Sequence, residues 1–337
     1  VLVATAFAVA TSTASATSVL TATAPSNAPA EGGVGVRLMD APTATRDDPR
    51  TRQYIVDHLA PGSLIQRRIE VSNSTSGPLH VAVYPAAATI KDGSFTGAAG
   101  HTANELSLWT TLSQDTVDLA PGAKAPVTVT VKVAADAPPG EQYAAIWAEI
   151  SGPPGSGVNL VNRVGIRMYL SVGPGNPPAA DFTVDSLTAQ RAPDRHPVVT
   201  AQVHNTGGRA VDLSGTLSLS GGPGALSAGP FPVQLGSTLA PGQSTAVTVS
   251  LNQQLPDGPW DADLKLKSGL IEKNVQARIQ FPPDPGAAAP VVPVVPQKDL
   301  PWVLLGGLAL LAALTIAAGV FVIRRRRRRQ EPAQQAA

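Results

Sequence analysis

The chain contains no cysteine. Disulfides, thiolate nucleophiles and cysteine-bearing zinc sites are therefore excluded, and the core must be held by burial alone. Aromatic residues make up only 4% and charged residues 15% of the 337 positions. Histidine is sparse as well: His58, His80, His101, His196 and His204 stand singly, without HExxH or H-x-H spacing, so no metal site is expected. There is no G-x-S-x-G nucleophile elbow and no G-x-x-x-x-G-K-[ST] phosphate loop. The glycine-rich stretches 152–157 and 221–224 contain no lysine and read as turns. No catalytic residue and no cofactor is expected. A net excess of basic charge is lacking outside one place, because six of the 25 Lys and Arg are consecutive at 324–329, and the acidic residues outnumber the remainder. A nucleic-acid footprint needs the opposite sign, so no nucleic-acid partner is expected.

What the chain has in quantity is Gly (31) and Pro (32) among Ala, Val, Leu, Thr and Ser, a composition that suits short strands and many turns. The element Leu-Ala-Pro-Gly occurs at 59–62, 119–122 and 239–242. Pro-Gly supplies the fixed φ and the permissive positive φ of a tight turn, and a run of period two follows each copy. After the second copy Val127, Val129, Val131 and Val133 share one face; after the third come Val247, Val249 and Leu251. After the first, Arg67 interrupts the apolar face of Ile65, Ile69 and Val71, which places that strand at a sheet edge. Two strands end in asparagine, at Asn73 and Asn205, each opening a turn. Asp92-Gly93 marks a hairpin, and residues 99–105 read as a surface loop. Trp260, Ala262, Leu264 and Leu266 alternate with Asp261, Asp263, Lys265 and Lys267, one buried and one solvated face.

Two such units, at 34–172 and 181–281 with a Pro/Gly linker at 173–180, predict tandem immunoglobulin-like β-sandwiches in an all-β fold. Residues 282–301 form a proline-rich spacer, unsuited to a sheet or helix and expected to be extended. Residues 302–323 then run without a charge from Trp302 to Ile323. A helix of 22 residues measures about 33 Å against a hydrocarbon core of about 30 Å, so a C-terminal transmembrane helix is predicted. Arg324, Arg325, Arg326, Arg327, Arg328 and Arg329 follow at once as a stop-transfer signal. The positive-inside bias puts the tail 324–337 in the cytoplasm and the sandwiches outside, a single-pass protein of the cell membrane. Residues 1–16, an apolar stretch ending in Ala14-Ser15-Ala16, read as a signal-peptide remnant, followed by a flexible leader at 17–33.

The first unit resembles a known family. His58-Leu59-Ala60-Pro61-Gly62 leads into Ile69-Glu70-Val71-Ser72-Asn73; then come Leu106-Ser107-Leu108-Trp109, the second Leu-Ala-Pro-Gly with its valine strand, and Pro138-Pro139-Gly140-Glu141-Gln142-Tyr143. In this order the elements resemble the membrane-anchored surface proteins of Gram-positive bacteria that carry a WxL-interacting, peptidoglycan-binding domain. The resemblance covers residues 34 to 172. It implies attachment to peptidoglycan by the first sandwich, with the second reaching a partner.

The expected function is thus a non-catalytic cell-surface protein whose partners are peptidoglycan or another surface protein, and the membrane. Trp109 and Tyr143 are the weak candidates for stacking on sugar rings, although a lone Trp in a sandwich more often anchors the core. The alternative is a protein–protein adhesion or assembly module without glycan binding, working by strand addition at the edge near Arg67. An enzyme with paired carboxylates is a third reading, against which Asp261 and Asp263 sit on a solvated face.

Overall fold

The computed structural model describes residues 32–151, 161–233, 236–251, 255–286 and 291–293. The fold is all-β and immunoglobulin-like. The first unit runs β1 (Val34–Leu38), β2 (Ile55–Leu59), β3 (Leu64–Asn73), β4 (Leu79–Lys91), β5 (Ser94–Gly97), α1 (Glu105–Leu108), β6 (Thr110–Leu112), β7 (Thr116–Leu119), β8 (Lys124–Lys132), β9 (Gly140–Ser151) and β10 (Val161–Val172). One sheet has the order β1-β3-β8-β6. It faces a second of order β2-β10-β9-β4-β5, with β7 also paired to β4. β2 runs parallel to β10, whereas β1 pairs antiparallel with β3, so the first stretch of chain contributes to both sheets. Ile69, Val71, Val81, Val127, Val129, Ile146 and Met168 meet between them, each at most 1% exposed.

The second unit comprises β11 (Thr183–Arg191), β12 (Pro197–His204), β13 (Val211–Asp212), β14 (Ser214–Ser220), β15 (Ala228–Pro232), β16 (Thr238–Leu239), β17 (Ser244–Ser250), β18 (Trp260–Ser268), β19 (Ile271–Ile279) and β20 (Val291–Pro293). Sheet β17-β12-β11-β20 packs on sheet β15-β14-β18-β19. Trp260, Ala262, Leu264 and Leu266 are buried, and Asp261 and Lys265 lie on the outer face, as the alternation predicts.

Each Leu-Ala-Pro-Gly element is a closed turn, with the amides of Ser63, Ala123 and Gln243 donating to the carbonyls of Ala60, Ala120 and Ala240. Gly62, Gly122 and Gly242 take φ of +79°, +73° and +73°, a region glycine enters without penalty. The two strand-ending asparagines serve the second and third of these turns. Asn73 Nδ2 donates to the carbonyls of Gly77 (2.8 Å) and Leu119 (3.1 Å), and Asn205 Nδ2 to those of Arg209 (2.9 Å) and Leu239 (2.9 Å). Both residues are buried, and each ties a strand end to the carbonyl of a neighbouring turn through its side-chain amide.

Several expectations are corrected. Glu105, assigned to a surface loop, opens the helix α1, which a capping box between Asn104 and Ser107 nucleates; four residues are too few to show a period. β3 is no simple edge, since β8 pairs it from Leu64 to Ser72 and β1 from Ile69 to Asn73. Arg67 interrupts its apolar face because Asp57 neutralises it at 2.6 Å, with both side chains largely buried. The proline-rich spacer returns to the sheet: Val291–Pro293 pairs antiparallel with Ser186, Leu187 and Thr188 of β11, and Val292 packs on the second core. The single-pass membrane architecture is corrected too. The helical content of the described residues is α1 and a few 3-10 turns, and no helix among them is long and apolar enough to cross a membrane. Trp302, Ile323, the arginines 324–329 and the signal-peptide remnant lie outside the described residues.

Candidate functional site at the junction and the open edge of β10

Polar side chains converge where the two sandwiches meet. A 3-10 turn at Pro49–Arg52, capped by the Asp48 carboxylate on the Arg50 amide (2.9 Å), aims Arg50 into the second unit. Its Nη1 donates to the Ala210 carbonyl (2.8 Å), Nε lies 2.7 Å from Asp212 Oδ2, and the guanidinium stands 4.8 Å over the Tyr169 ring. The Nε–Oδ2 contact is short but not aligned as a hydrogen bond, so it acts as an ion pair, and Nη2 is left without a partner among the described residues. Asp212 Oδ1 accepts from Tyr169 Oη (2.9 Å), Thr238 Oγ1 (2.7 Å) and Arg167 Nη1 (3.3 Å). Glu141 accepts from the Ala210 amide (2.6 Å) and from Tyr143 Oη (2.7 Å). At the other flank the β4–β5 hairpin docks by its tip: the Thr238 amide donates to the Gly93 carbonyl (2.8 Å) and Gln243 Nε2 to that of Ile90 (3.3 Å). Val56, Ile90, Tyr169 and Ala210 form a small apolar core between these points.

Burial shapes the titration of this cluster. It holds the Glu141 carboxyl above the usual carboxylate range, although Tyr143, the Ala210 amide, Arg50 and Arg209 pull the other way. Burial likewise raises Asp57 against the pull of Arg67, and raises the phenols of Tyr143 and Tyr169, which stay protonated. Burial and then the neighbouring Arg50 lower Arg209. Beside the junction is a cavity of about 550 Å³ lined by Arg50, Tyr54, Arg167, Asp212, Thr238 and Lys267 among others. Its arginines are already engaged by Asp212, and among the described residues no group of three His, Asp or Glu could hold a metal ion.

The two aromatic candidates are placed apart. Tyr143 packs in the junction, edge-on to Tyr169 with ring centroids 6.0 Å apart. Trp109 ends α1 and packs on the first core. Asn104 connects their surroundings, capping α1 while its Nδ2 donates to the Tyr143 carbonyl (2.7 Å). Asp261 and Asp263 line a shallow hollow of about 450 Å³ on the outer face of β18, where Gln276 donates to Asp263. Sequence reasoning missed Arg50, Glu141, Arg167, Tyr169 and Asp212. The signal available for Arg167 and Tyr169 is a charge and a phenol within the mostly apolar stretch from Val164 to Leu170.

β10 leaves the junction as an unfinished edge. β9 pairs it from Val161 to Val172, but β2 covers the opposite side only from Met168 to Val172. The Gly173 amide donates to the Leu59 carbonyl, so by the alternation of strand geometry the N–H and C=O of Arg163, Gly165 and Arg167 point to the side that β2 covers only from Met168 on. The ladder with β2 begins at Met168 opposite Ile55 and takes up the Arg167 carbonyl, so the uncovered groups are both main-chain groups of Arg163 and Gly165 and the amide of Arg167. Charged side chains usually guard such an edge. Here both arginines are drawn back over the sheet: Arg163 stacks 4.3 Å from the Trp147 ring and donates to the Ala98 carbonyl, and Arg167 reaches Asp212.

No family model matches the chain, and no curated protein does. Among solved structures, it is similar to the YadV chaperone (12% identity, TM-score 0.39, covering 72% of this chain and 99% of that one). It is also similar to the E. coli chaperone DraB (14%, 0.38, 74% and 99%). A third is the Salmonella enterica SafA pilin in complex with the SafB chaperone (11%, 0.40, 73% and 96%). At such identities these likenesses concern strand arrangement and do not say what this chain binds. The resemblance to WxL-interacting surface proteins is corrected: no family model matches the chain, the similar solved structures named above are chaperones, and the peptidoglycan-binding role resting on the resemblance is withdrawn.

Proposed function

We propose that this chain is a non-catalytic protein-assembly module, which takes up an extended segment of a partner protein by strand addition along residues 161–167 of β10. The observation that carries this reading is the row of main-chain groups beyond the reach of β2, those of Arg163 and Gly165 and the amide of Arg167, left bare because both arginines fold back. Main-chain pairing supplies affinity in such a mode, and alternate side-chain positions supply selectivity. β9 already holds this stretch of β10 as a strand, so little ordering is required of this chain on binding. Domain limits at 34–172 and 181–281 follow from the same reading, with one hydrophobic core to each unit.

A photo-crosslinking residue at Val161, which is exposed, tests the idea against the same residue at Asn274 on β19. We expect one dominant adduct from Val161 alone. The purified partner should then slow amide exchange at Arg163, Gly165 and Arg167. Equal or diffuse labelling from both sites, or unchanged exchange at the three amides, would refute strand addition here.

A further inference from the structure

We infer that two copies of this chain pair antiparallel through β17, extending sheet β17-β12-β11-β20 across a two-fold axis at Val247. The inference concerns a different edge from the one proposed for a partner protein, and either can fail without the other.

β17 is the sequence Ser-Thr-Ala-Val-Thr-Val-Ser, hydrogen-bonded to β12 alone. Among the described edges it is the one longer than four residues with no charge, proline or glycine. β1 carries Arg37, β2 carries Asp57, and β19 carries Glu272, Lys273 and Arg278. β15 is interrupted by Gly229, Pro230 and Pro232. Such residues are the means by which a sheet edge is kept from pairing with another. Their absence from β17 singles it out.

The ladder fixes which groups are on offer. Asn205 N donates to Gln243 O and Leu251 N to Pro197 O, so the odd-numbered residues of β17 pair inward to β12. In an antiparallel ladder the intervening residues face the other way. Ser244, Ala246, Thr248 and Ser250 therefore present N–H and C=O at the open side, and none has a main-chain partner among the described residues.

The occupant that fits is a second β17, because the strand is close to palindromic. Turned about Val247, it sets Ser244 against Ser250, Ala246 against Thr248, and Thr245 against Val249. Every facing pair keeps its side of the sheet, no like charges meet, and the outward-facing groups fall opposite one another in the hydrogen-bonded register. A two-fold, self-complementary contact closes on itself and is the commonest way for one chain to associate.

The absence of cysteine makes the register directly testable in the full chain. Ser244 and Ser250 are exposed. In the proposed pair their Cα atoms lie about 5.5 Å apart across the axis, within disulfide reach, whereas within one strand they are separated by about 20 Å. The double variant S244C/S250C should become a covalent dimer under mild oxidation, and S244C or S250C alone should not. In sedimentation the unmodified chain should dimerise, and Ala246→Pro should weaken dimerisation about tenfold or more. It removes an edge N–H from both strands at once and leaves the β12 ladder intact. A monomeric chain, an association that Ala246→Pro does not weaken, or crosslinking by the single variants equal to that of the double variant would each overturn the inference.

Discussion

Arg50 and Asp212, 162 positions apart in the chain, form an ion pair with Nε 2.7 Å from Oδ2 at the junction of the two sandwiches. The guanidinium is 8% exposed. Without Arg50, Asp212 keeps Arg167, Tyr169 and Thr238 as partners, but the Ala210 carbonyl loses its donor. Arg50→Ala should therefore cost about 1–3 kcal/mol and lower the urea midpoint. The exposed pair Arg37–Glu70 is the control: Arg37→Ala should leave the midpoint unchanged within error. Equal effects of the two substitutions would show that the junction contributes nothing to stability.

Asn205 and Asn73 should behave alike despite lying in different sandwiches. Asn205→Ala removes the side-chain amide that donates to both the buried Leu239 carbonyl and the Arg209 carbonyl, and one of the two acceptors of the Gly207 amide, the other being the Asp181 carbonyl. Leaving a buried group unsatisfied costs about 1–3 kcal/mol, and a loss of that order is expected from chemical denaturation for each asparagine. A neutral result for either would mean that water replaces the amide.

Glu141 should give stability an inverted dependence on pH. Its folded-state pKa is raised above the unfolded value, so in the interval between the two the native state holds a proton that the unfolded state has lost. Stability then falls as pH rises from the ordinary carboxylate value to the raised one, and is level above it. Asp57 adds to the trend with the same sign. Glu141→Gln cannot ionise, so the difference in denaturation midpoint between it and the unmodified chain should grow as pH rises through that interval. A constant difference would show that Glu141 titrates normally.

Two glycines should differ in their tolerance of a methyl group. A Cβ on Gly165 would stand 2.6 Å from the Trp147 ring and 2.9 Å from the Ile146 carbonyl, and the carbonyl, as main chain, has little room to move. Gly165→Ala should cost about 1–3 kcal/mol and alter the near-ultraviolet dichroism of Trp147. A Cβ on Gly122 meets nothing within 4 Å, so only the positive φ opposes it. Gly122→Ala should lose about 1 kcal/mol. The reverse order would mean that Trp147 moves aside freely.

Strands with one wet and one dry face were legible from period two alone: Val127 to Val133 and Trp260 to Leu266 are buried where the alternation puts them. The turns were legible because Pro-Gly and Asp-Gly impose backbone angles that few other pairs accept; Asp92 and Gly93 indeed take φ of +51° and +73°. What escaped depended on contacts remote in sequence. Arg67 read as an edge marker because Asp57, its partner, lies on another strand, and Val292 read as spacer because its pairing with Leu187 has no local signature. The junction was illegible for the same reason. Arg50, Glu141, Tyr169 and Asp212 look like scattered polar residues until the fold collects them, and no spacing rule links them. The wall-binding expectation arose from turn and strand elements that specify an immunoglobulin-like framework, not a ligand.

The bond from the Thr238 amide to the Gly93 carbonyl makes the halves dependent on each other in a way that buried area alone does not convey. Were the polypeptide divided within 173–180, the trailing piece would keep a bare amide at Thr238 and another at Ala210, and the leading piece would keep an idle carbonyl at its hairpin tip. Neither fragment possesses a full complement of backbone mates. Water would have to take over these groups in the separated pieces, so each sandwich alone should be less stable than it is beside its neighbour.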